Sequence, residues 1–425
     1  MSETAVVPSP TAERLVSPAA YAEWDGVNAD LTYLRSHLPF AKANPKGYDP
    51  FWVATKYADV QVISRQPEIF RSNGYRVILS SQAALAAMEK PGAPPALRAL
   101  ITMNAPEHWA NRRLTFADFA PKGVQGLEES IRAIAVRSVE DFLATGGTSE
   151  FVEDAALRYP LRVILALLGL PSEDEDFILR FTQKFSNPQD PEFSAAEGGV
   201  AEKAGVALDH DVLEEYKGYF YALIDKLRAN PNNSVSSKIA NGTIDGQLLS
   251  HWDAMSQIVV VATAGHDTTS YSTAGAMCAL AERPDLVDRV RADLSLVPKL
   301  VDEGVRWGSP LLNFMRTASA DCELRGQTIH KGDWIMMSYL SGNRDEDVFK
   351  DPFTFSLDRP ENVHLGFGHG PHNCLGRNVA KLEMRIFFEE LFRRVTSVEL
   401  AGTPTRTHHA SLSGVKTLPI RFTYK

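Results

Sequence analysis

Between positions 364 and 376 the chain reads HLGFGHGPHNCLG, with four glycines, three histidines and one cysteine in thirteen residues. Few chemistries use such a set. His364, His369, His372 and Cys374 could hold a metal together, Cys374 could be a catalytic thiol, or Cys374 could be a single thiolate bound to something large. It could also be a cysteine that only packs. Apolar residues Leu375, Val379, Leu382, Ile386 and Leu391 make a stripe that predicts a helix over 375–394. Cys374 then stands at a helix entrance, where free amides and the positive end of the helix dipole stabilise a thiolate. The glycines at 366, 368, 370 and 376 would let the backbone close round the sulfur and turn N–H groups toward it. A zinc site lacks paired-ligand spacing and leaves the glycines without a role. The glycines also do not fit a dinucleotide-binding turn.

Two further groups could act. AGHDTTS, 264–270, places an acid and two neighbouring hydroxyls inside a largely apolar run. Asp267 and Thr268 can be read as a proton-delivery pair, with Gly265 making room for a ligand beside the helix. The competing reading is that Thr268 only bonds back to the carbonyl four residues earlier. EGVR puts Glu303 and Arg306 three apart on one helical face. Buried, such a pair needs more partners, and Arg359 in LDRP is a candidate third member.

The elements that must carry these groups are mostly helical. The longest apolar pattern starts at Ser250 and stops before Pro284, on the order of 50 Å of helix. It is apolar over most of its circumference and so should be buried, with a local distortion expected near 265–270. Helices are predicted over 107–119, 123–143, 149–167, 173–184 and 210–230. Segment 50–70 reads as strand, short helix, then strand or turn. Segment 71–105 reads as a long, partly helical loop, and 314–345 as strand-like pieces round turns at Gly326 and Lys331-Gly-Asp. The last residues, PIRFTYK, read as strand.

Composition limits the function. The 425 residues are 44% hydrophobic, with 53 acidic against 44 basic residues, and the net charge of −9 gives no reason to expect nucleic acid binding. Three cysteines, Cys278, Cys322 and Cys374, are not a disulfide framework and suggest a reducing, cytoplasmic setting. No apolar run approaches the roughly 18–20 residues of a membrane span. Residues 1–24 read as a flexible leader, and 25–425 as one catalytic domain.

Taken together the motifs coincide with a family pattern. FGHGPHNCLG resembles the cysteine loop of the cytochrome P450 haem-thiolate monooxygenases, AGHDTTS their central-helix motif, and EGVR with Asp358-Arg359 their Glu-x-x-Arg network. NRDEDVFKDPFTF resembles the segment before the loop. Order and spacing agree over nearly the whole chain from about residue 25. GYDPFWVATKYADV, VVATAGHDTTS, LVDEGVRW, FMRTASAD and AKLEMRIFFEEL further resemble bacterial enzymes of the α-terpineol-hydroxylating kind. The acidic-Pro-Pro turn usual in the family reads NAPEH here, and 71–100 diverges more.

The resemblance implies a mainly α cytochrome P450 fold with a long central helix and small β-sheets. It implies haem b with Cys374 as axial thiolate and Phe367 packed near the sulfur, while His108, Arg112, Arg316 and His372 meet the haem propionates. Asp267 and Thr268 would handle protons, and Glu303, Arg306 and Arg359 would be structural. The pocket is expected from Val261, Ala264, Gly265 and Thr268 on one helix face, with Leu311, Asn313, Phe314 and Leu412. Asn313 or the 71–100 loop would orient one polar handle. The expected substrate is a monoterpene, terpene alcohol or alkyl-aromatic, hydroxylated with O₂ and electrons from NAD(P)H. A ferredoxin and its reductase would deliver the electrons to a monomer, at a basic patch of Arg112, Arg113, Arg377 and Lys381. A peroxide-using haem-thiolate enzyme and a non-catalytic haem-binding sensor are the alternatives.

Overall fold

A computed structural model describes residues 4–91, 97–187, 189–190 and 210–425. Parts of the expected access regions, 71–100 and 183–225, therefore lie outside the described residues. The fold is mainly helical, laid round a central helix that runs His251–Ala281. Ser250 starts it as a reciprocal cap: its hydroxyl accepts from the Asp253 amide at 3.0 Å and donates to the Asp253 carboxylate at 2.8 Å. Twenty-two of its 31 residues are buried, as its apolar circumference requires.

The expected distortion at 265–270 is absent, and the α-helical pattern is unbroken there. Thr263, Thr268, Ser270 and Ser272 each donate to the carbonyl four residues earlier, at 2.8–3.0 Å. Each hydroxyl thus shares a carbonyl with the ladder and does not compete against it.

The central helix packs on helices Arg158–Leu168, Glu175–Ser186, His210–Ala229 and Val297–Gly308. Its crossing with the last of these is close because small residues meet there. A Cβ added at Gly304 would lie 2.8 Å from the Ala276 Cβ, and one at Gly275 would lie 3.4 Å from the Gly308 Cα. The cysteine helix, Arg377–Arg394, packs on Glu128–Leu143 and on Val297–Gly308.

A five-stranded sheet stands to one side, in the order Phe40–Ala43, Phe51–Ala54, Trp334–Ser338, Asn313–Ala318, Phe70–Arg71. Only the pairing of Phe51–Ala54 with Trp334–Ser338 is parallel. A second sheet joins Val395–Leu400, Pro419–Tyr424 and Thr148–Glu150. The helix expected over 149–167 therefore starts later. Residues 148–150 form an edge strand, Val152–Ala156 make a π-helical turn, and the α-helix occupies Arg158–Leu168. The tail strand recruits 148–150 by backbone pairing, Ile420 opposite Ser149, a long-range contact that helical periodicity does not report.

The flexible leader is also corrected. Within it, Ser9–Leu15 and Pro18–Glu23 are helices, and Leu15, Val16 and Tyr21 are buried in a cluster with Val27, Leu31, Phe51 and Trp334. The segment is further tied by Val7 donating to the Lys42 carbonyl and Lys42 to the Ala5 carbonyl. Proline and acid mark that stretch as irregular, yet the burial of Leu15, Val16 and Tyr21 docks it. No helix of the described residues is long and apolar enough to cross a membrane.

Candidate functional site

Cys374 lies three residues before the cysteine helix, with Gly376 as N-cap and Arg377 as first helical residue. The loop is closed by the Cys374 amide donating to the Phe367 carbonyl at 2.8 Å and by Asn373 donating to Gly370. Gly368 and Gly370 take φ of +67° and +69°, which side chains disfavour. At Gly370 a Cβ would also collide with the Ser64 carbonyl, so only glycine fits. The sulfur can be reached from the accessible side, though protein surrounds the residue closely. Burial pushes the thiol up; the amides of Gly376 and Arg377 and the charges of Arg112 and Arg377 pull the other way. This is the donor set of a sulfur ligand.

The histidines of the loop do not converge on the cysteine. His364 accepts from the Gly366 amide and faces Asp302, His369 accepts from Arg65, and the His372 ring lies tilted against that of His108 with centroids 4.3 Å apart. Among the described residues, no three His, Cys, Asp or Glu side chains are placed to hold a metal.

His108, Arg112, Arg316 and His372 instead form one group, without a carboxylate. Arg112 and Arg316 are buried, and neither has an ion-pair partner among the described residues. Arg112 reaches the Asn373 carbonyl and side-chain oxygens at 3.0 and 2.9 Å, and Arg316 the Met315 carbonyl at 2.8 Å. The buried His108 Nε2 has no partner. Burial and the charges of Arg112 and Arg316 hold His108 down to about 4, and burial with Arg316, His108 and Arg112 hold His372 down to about 3. Three buried basic groups and the half-buried His372, with no anion beside them among the described residues, fit a ligand bearing buried carboxylates. With the cysteine, they fit haem: one sulfur for iron, two arginines and two histidines for propionates.

Within the middle of the helix Val261, Gly265 and Thr268 are partly accessible and Ala264 is exposed, on the face expected. Gly265 has another use than expected. Its Cβ would lie 2.6 Å from Ile164 Cδ1, so its missing side chain serves packing against Arg158–Leu168. Leu311 and Leu412 pair through an isolated β-bridge, and Phe314 meets Tyr339 edge to face. Asn313 is buried and donates to the Ala410 carbonyl at 2.8 Å, so it pins the 410–412 turn and is not free to hold a substrate group.

Asp267 and Thr268 point apart. Thr268 is partly accessible, whereas Asp267 is fully buried against Glu175–Ser186, accepting from Gln183 at 2.8 Å and Ser186 at 2.6 Å. Sequence reasoning missed those two partners, which come from a helix more than eighty residues away. Burial raises the Asp267 carboxyl, while His266, Ser186 and Gln183 lower it less. The folded protein therefore keeps a proton that the unfolded chain releases from about pH 4, and that contribution drains as pH rises through the raised value. Asp267→Asn has no proton to lose. Its thermal midpoint should gain on wild type as pH rises above about 4 and level off once the raised folded value is passed; a constant difference would mean that the carboxylate is buried charged.

Glu303 and Arg306 are wholly buried and bidentate, at 2.7 and 2.8 Å, with Arg359 donating to both Glu303 oxygens at 3.1 Å. Phe367 lies between His364 and Lys381, with its ring centroid 5.5 and 5.9 Å from them. The basic patch needs correction. Arg112 is interior, and Lys381 is held by Asp302 at 2.6 Å, which leaves Arg113 and Arg377 exposed.

Comparison with known proteins agrees with this geometry. The family profile described as Cytochrome P450 matches residues 208–423. Over its full length the chain is 42% identical to all of Cytochrome P450-terp from a Pseudomonas species. It is 31% identical to a steroid C26-monooxygenase of Mycolicibacterium smegmatis, over 89% of this chain and 84% of that one. Among solved structures it is similar to CYP108D1 from Novosphingobium aromaticivorans, with TM-score 0.90 and 36% identity over 99% of this chain and 100% of that one. A Mycobacterium marinum cytochrome P450 in complex with pseudoionone gives TM-score 0.86 and 28% identity over 99% and 100%.

Proposed function

This chain belongs to the cytochrome P450 family and is a monooxygenase, and from that premise we propose that it hydroxylates a compact terpene or terpene alcohol, with electrons from a ferredoxin. The family implies haem b held by a cysteine thiolate, and Cys374 is the residue we assign to it. The observation that carries the site is the carboxylate-free group of His108, Arg112, Arg316 and His372 beside a cysteine that has amide donors. When bound, haem supplies the activation of O₂ and the storage of electrons. The chain supplies the rest. Gly376 and Arg377 amides and nearby guanidinium charge favour the Cys374 thiolate. Phe367, whose carbonyl accepts from the Cys374 amide, is the aromatic side chain we assign to the thiolate side of the haem.

Thr268 is the hydroxyl on the accessible face; it donates to the Ala264 carbonyl at 2.8 Å and can turn to pass a proton to the pocket. Asp267, whose carboxyl is raised by burial, stands one residue away, restrained by Gln183 and Ser186 until its side chain rotates. Val261, Ala264, Leu311, Phe314 and Leu412 offer an apolar surface suited to a terpene skeleton. Support for that substrate class comes from the relative named Cytochrome P450-terp and from the similar structure that binds pseudoionone. Relatives named for steroids and methyl-branched lipids mark the competing classes. Exposed Arg113 and Arg377 supply positive charge for an acidic ferredoxin.

The test is a titration of the haem-loaded protein with α-terpineol, related terpenes, steroids and fatty acids, followed by product analysis with O₂, NAD(P)H, ferredoxin and reductase. Terpenes should give the spin-state shift and a hydroxylated product. A shift with steroids or fatty acids alone would sink the substrate assignment. In the same assay Thr268→Ala should divert most of the electron flow to peroxide, with substrate binding kept; unchanged coupling would remove Thr268 from proton transfer. Equal turnover with peroxide alone would favour the peroxide-using alternative, against which the acid–alcohol pair argues.

A further inference from the structure

The helix Glu107–Arg112 has six residues, and its buried residues are His108, Asn111 and Arg112, all polar. Trp109, its one large apolar side chain, points outward at 48% exposed. A helix this short has little stability of its own, and hydrophobic contact on its buried face cannot set its register. Polar contacts must do so. Arg112 bonds to Asn373, and the His108 ring lies against that of His372, but these groups belong to the site itself. Outside the site, Arg98 pairs with Glu107 and, at 3.2 Å, with Asp253 of the central helix, but Arg98 and Glu107 are exposed and such a pair holds weakly. The buried contact is Gln257 Nε2 donating to Asn111 Oδ1 at 2.6 Å, with Asn111 Nδ2 donating to the Glu107 carbonyl at 3.0 Å. Both side chains are buried. Gln257 stands on the central helix four, seven and eleven residues before Val261, Ala264 and Thr268, on the pocket face. One buried hydrogen bond thus connects the helix that bears Thr268 with the helix that bears His108 and Arg112.

We infer that Gln257 and Asn111 are positioning residues that set His108 and Arg112 to receive the carboxylates of the bound haem. The inference rests on the haem-thiolate reading above. Loss of either partner strands the other's amide in a buried site, a cost equivalent to about a tenfold change or somewhat more.

The experiment mixes haem-loaded protein with excess apomyoglobin and follows haem transfer, while resonance Raman spectroscopy follows the propionate bending band. Gln257→Leu and Asn111→Leu should each release haem about tenfold faster and displace that band. Gln257→Asn keeps the amide but withdraws it by one methylene, and should behave as the leucine variant does. The double variant should release haem no faster than either single one, because both remove the same bond. Ile178→Val, a fully buried site on another helix, should leave both readouts at wild type. Wild-type release and an unshifted band in the single variants would overturn the inference. So would multiplicative effects in the double variant, or an equal effect of Ile178→Val. The red-shifted carbon monoxide band of each reduced sample reports the cysteine separately. Its absence from wild type would overturn the haem-thiolate reading; its presence beside unaffected variants would overturn only the role of Gln257 and Asn111.

Discussion

Cys374→Ala should give a protein whose reduced carbon monoxide complex lacks the red-shifted Soret band and whose turnover falls to the level of a haem-free control. The substitution does more than remove a ligand. The amides of Gly376 and Arg377 and the guanidinium groups of Arg112 and Arg377 would be left round a methyl group, with no negative charge to balance them. Cys374→Ser should fail as well, because a hydroxyl stays protonated at neutral pH and cannot push electron density as a thiolate does. His364, His369 and His372 cannot take over, since each is committed elsewhere, to Asp302, Arg65 and the His108 ring. The loop should still fold in both variants. Its shape is set by backbone hydrogen bonds from Gly368, Asn373 and Cys374 and by glycines at positive φ, none of which uses the sulfur. A red-shifted band in Cys374→Ala would remove sulfur from the site altogether.

That separation, loop shape from backbone and chemistry from one side chain, also explains what the sequence discloses. Cys374, the central helix and the Glu303–Arg306–Arg359 network are readable because each is local or nearly so. A glycine pattern, an apolar run and an i,i+3 pair are all statements about neighbours in the chain. What could not be read depends on who arrives from afar. Gly265 looks like room for a ligand until Ile164 occupies the direction of its Cβ. Asn313 looks like a substrate handle until the Ala410 carbonyl takes its amide. Of the two roles expected of Arg112, the interior one beside His108 and Arg316 agrees with its burial, and the one in a surface patch does not. Asp267 reads as Thr268's partner, whereas its bonds go to Gln183 and Ser186. Gln257 is an intermediate case: a polar residue in an apolar run, in phase with the pocket face, gives a signal, but Asn111 as its partner does not follow from spacing. The docked N-terminal helices were hidden because their apolar residues find the sheet only after folding.

Glu303→Ala should cost about 3–5 kcal/mol, the penalty of leaving a buried guanidinium without its carboxylate. Against a total of roughly 5–15 kcal/mol, that is enough to leave much of the protein unfolded or unable to retain haem. Glu303 has no accessible surface, and its two oxygens receive Arg306, Arg359, Asn362 and the Ser356 amide. Arg306 continues to the carbonyls of Asn343 and Pro352, and Arg359 to those of Lys350, Asp351 and Thr354. The residues tied together lie between 343 and 362, the irregular stretch that leads into the cysteine loop and has little secondary structure to hold its shape. One carboxylate therefore stands where a sheet or helix would otherwise be needed. Arg306→Lys should fail almost as badly, since an ammonium keeps the charge but cannot fill the bidentate fork and reach both carbonyls. The damage should appear as a lower urea midpoint and faster haem loss, with substrate affinity of the surviving haem-loaded fraction unchanged, because none of these groups lies on the pocket face. A wild-type urea midpoint in Glu303→Ala would refute the network as the organiser of the loop, and a selective loss of substrate binding would move Glu303 into the pocket's chemistry.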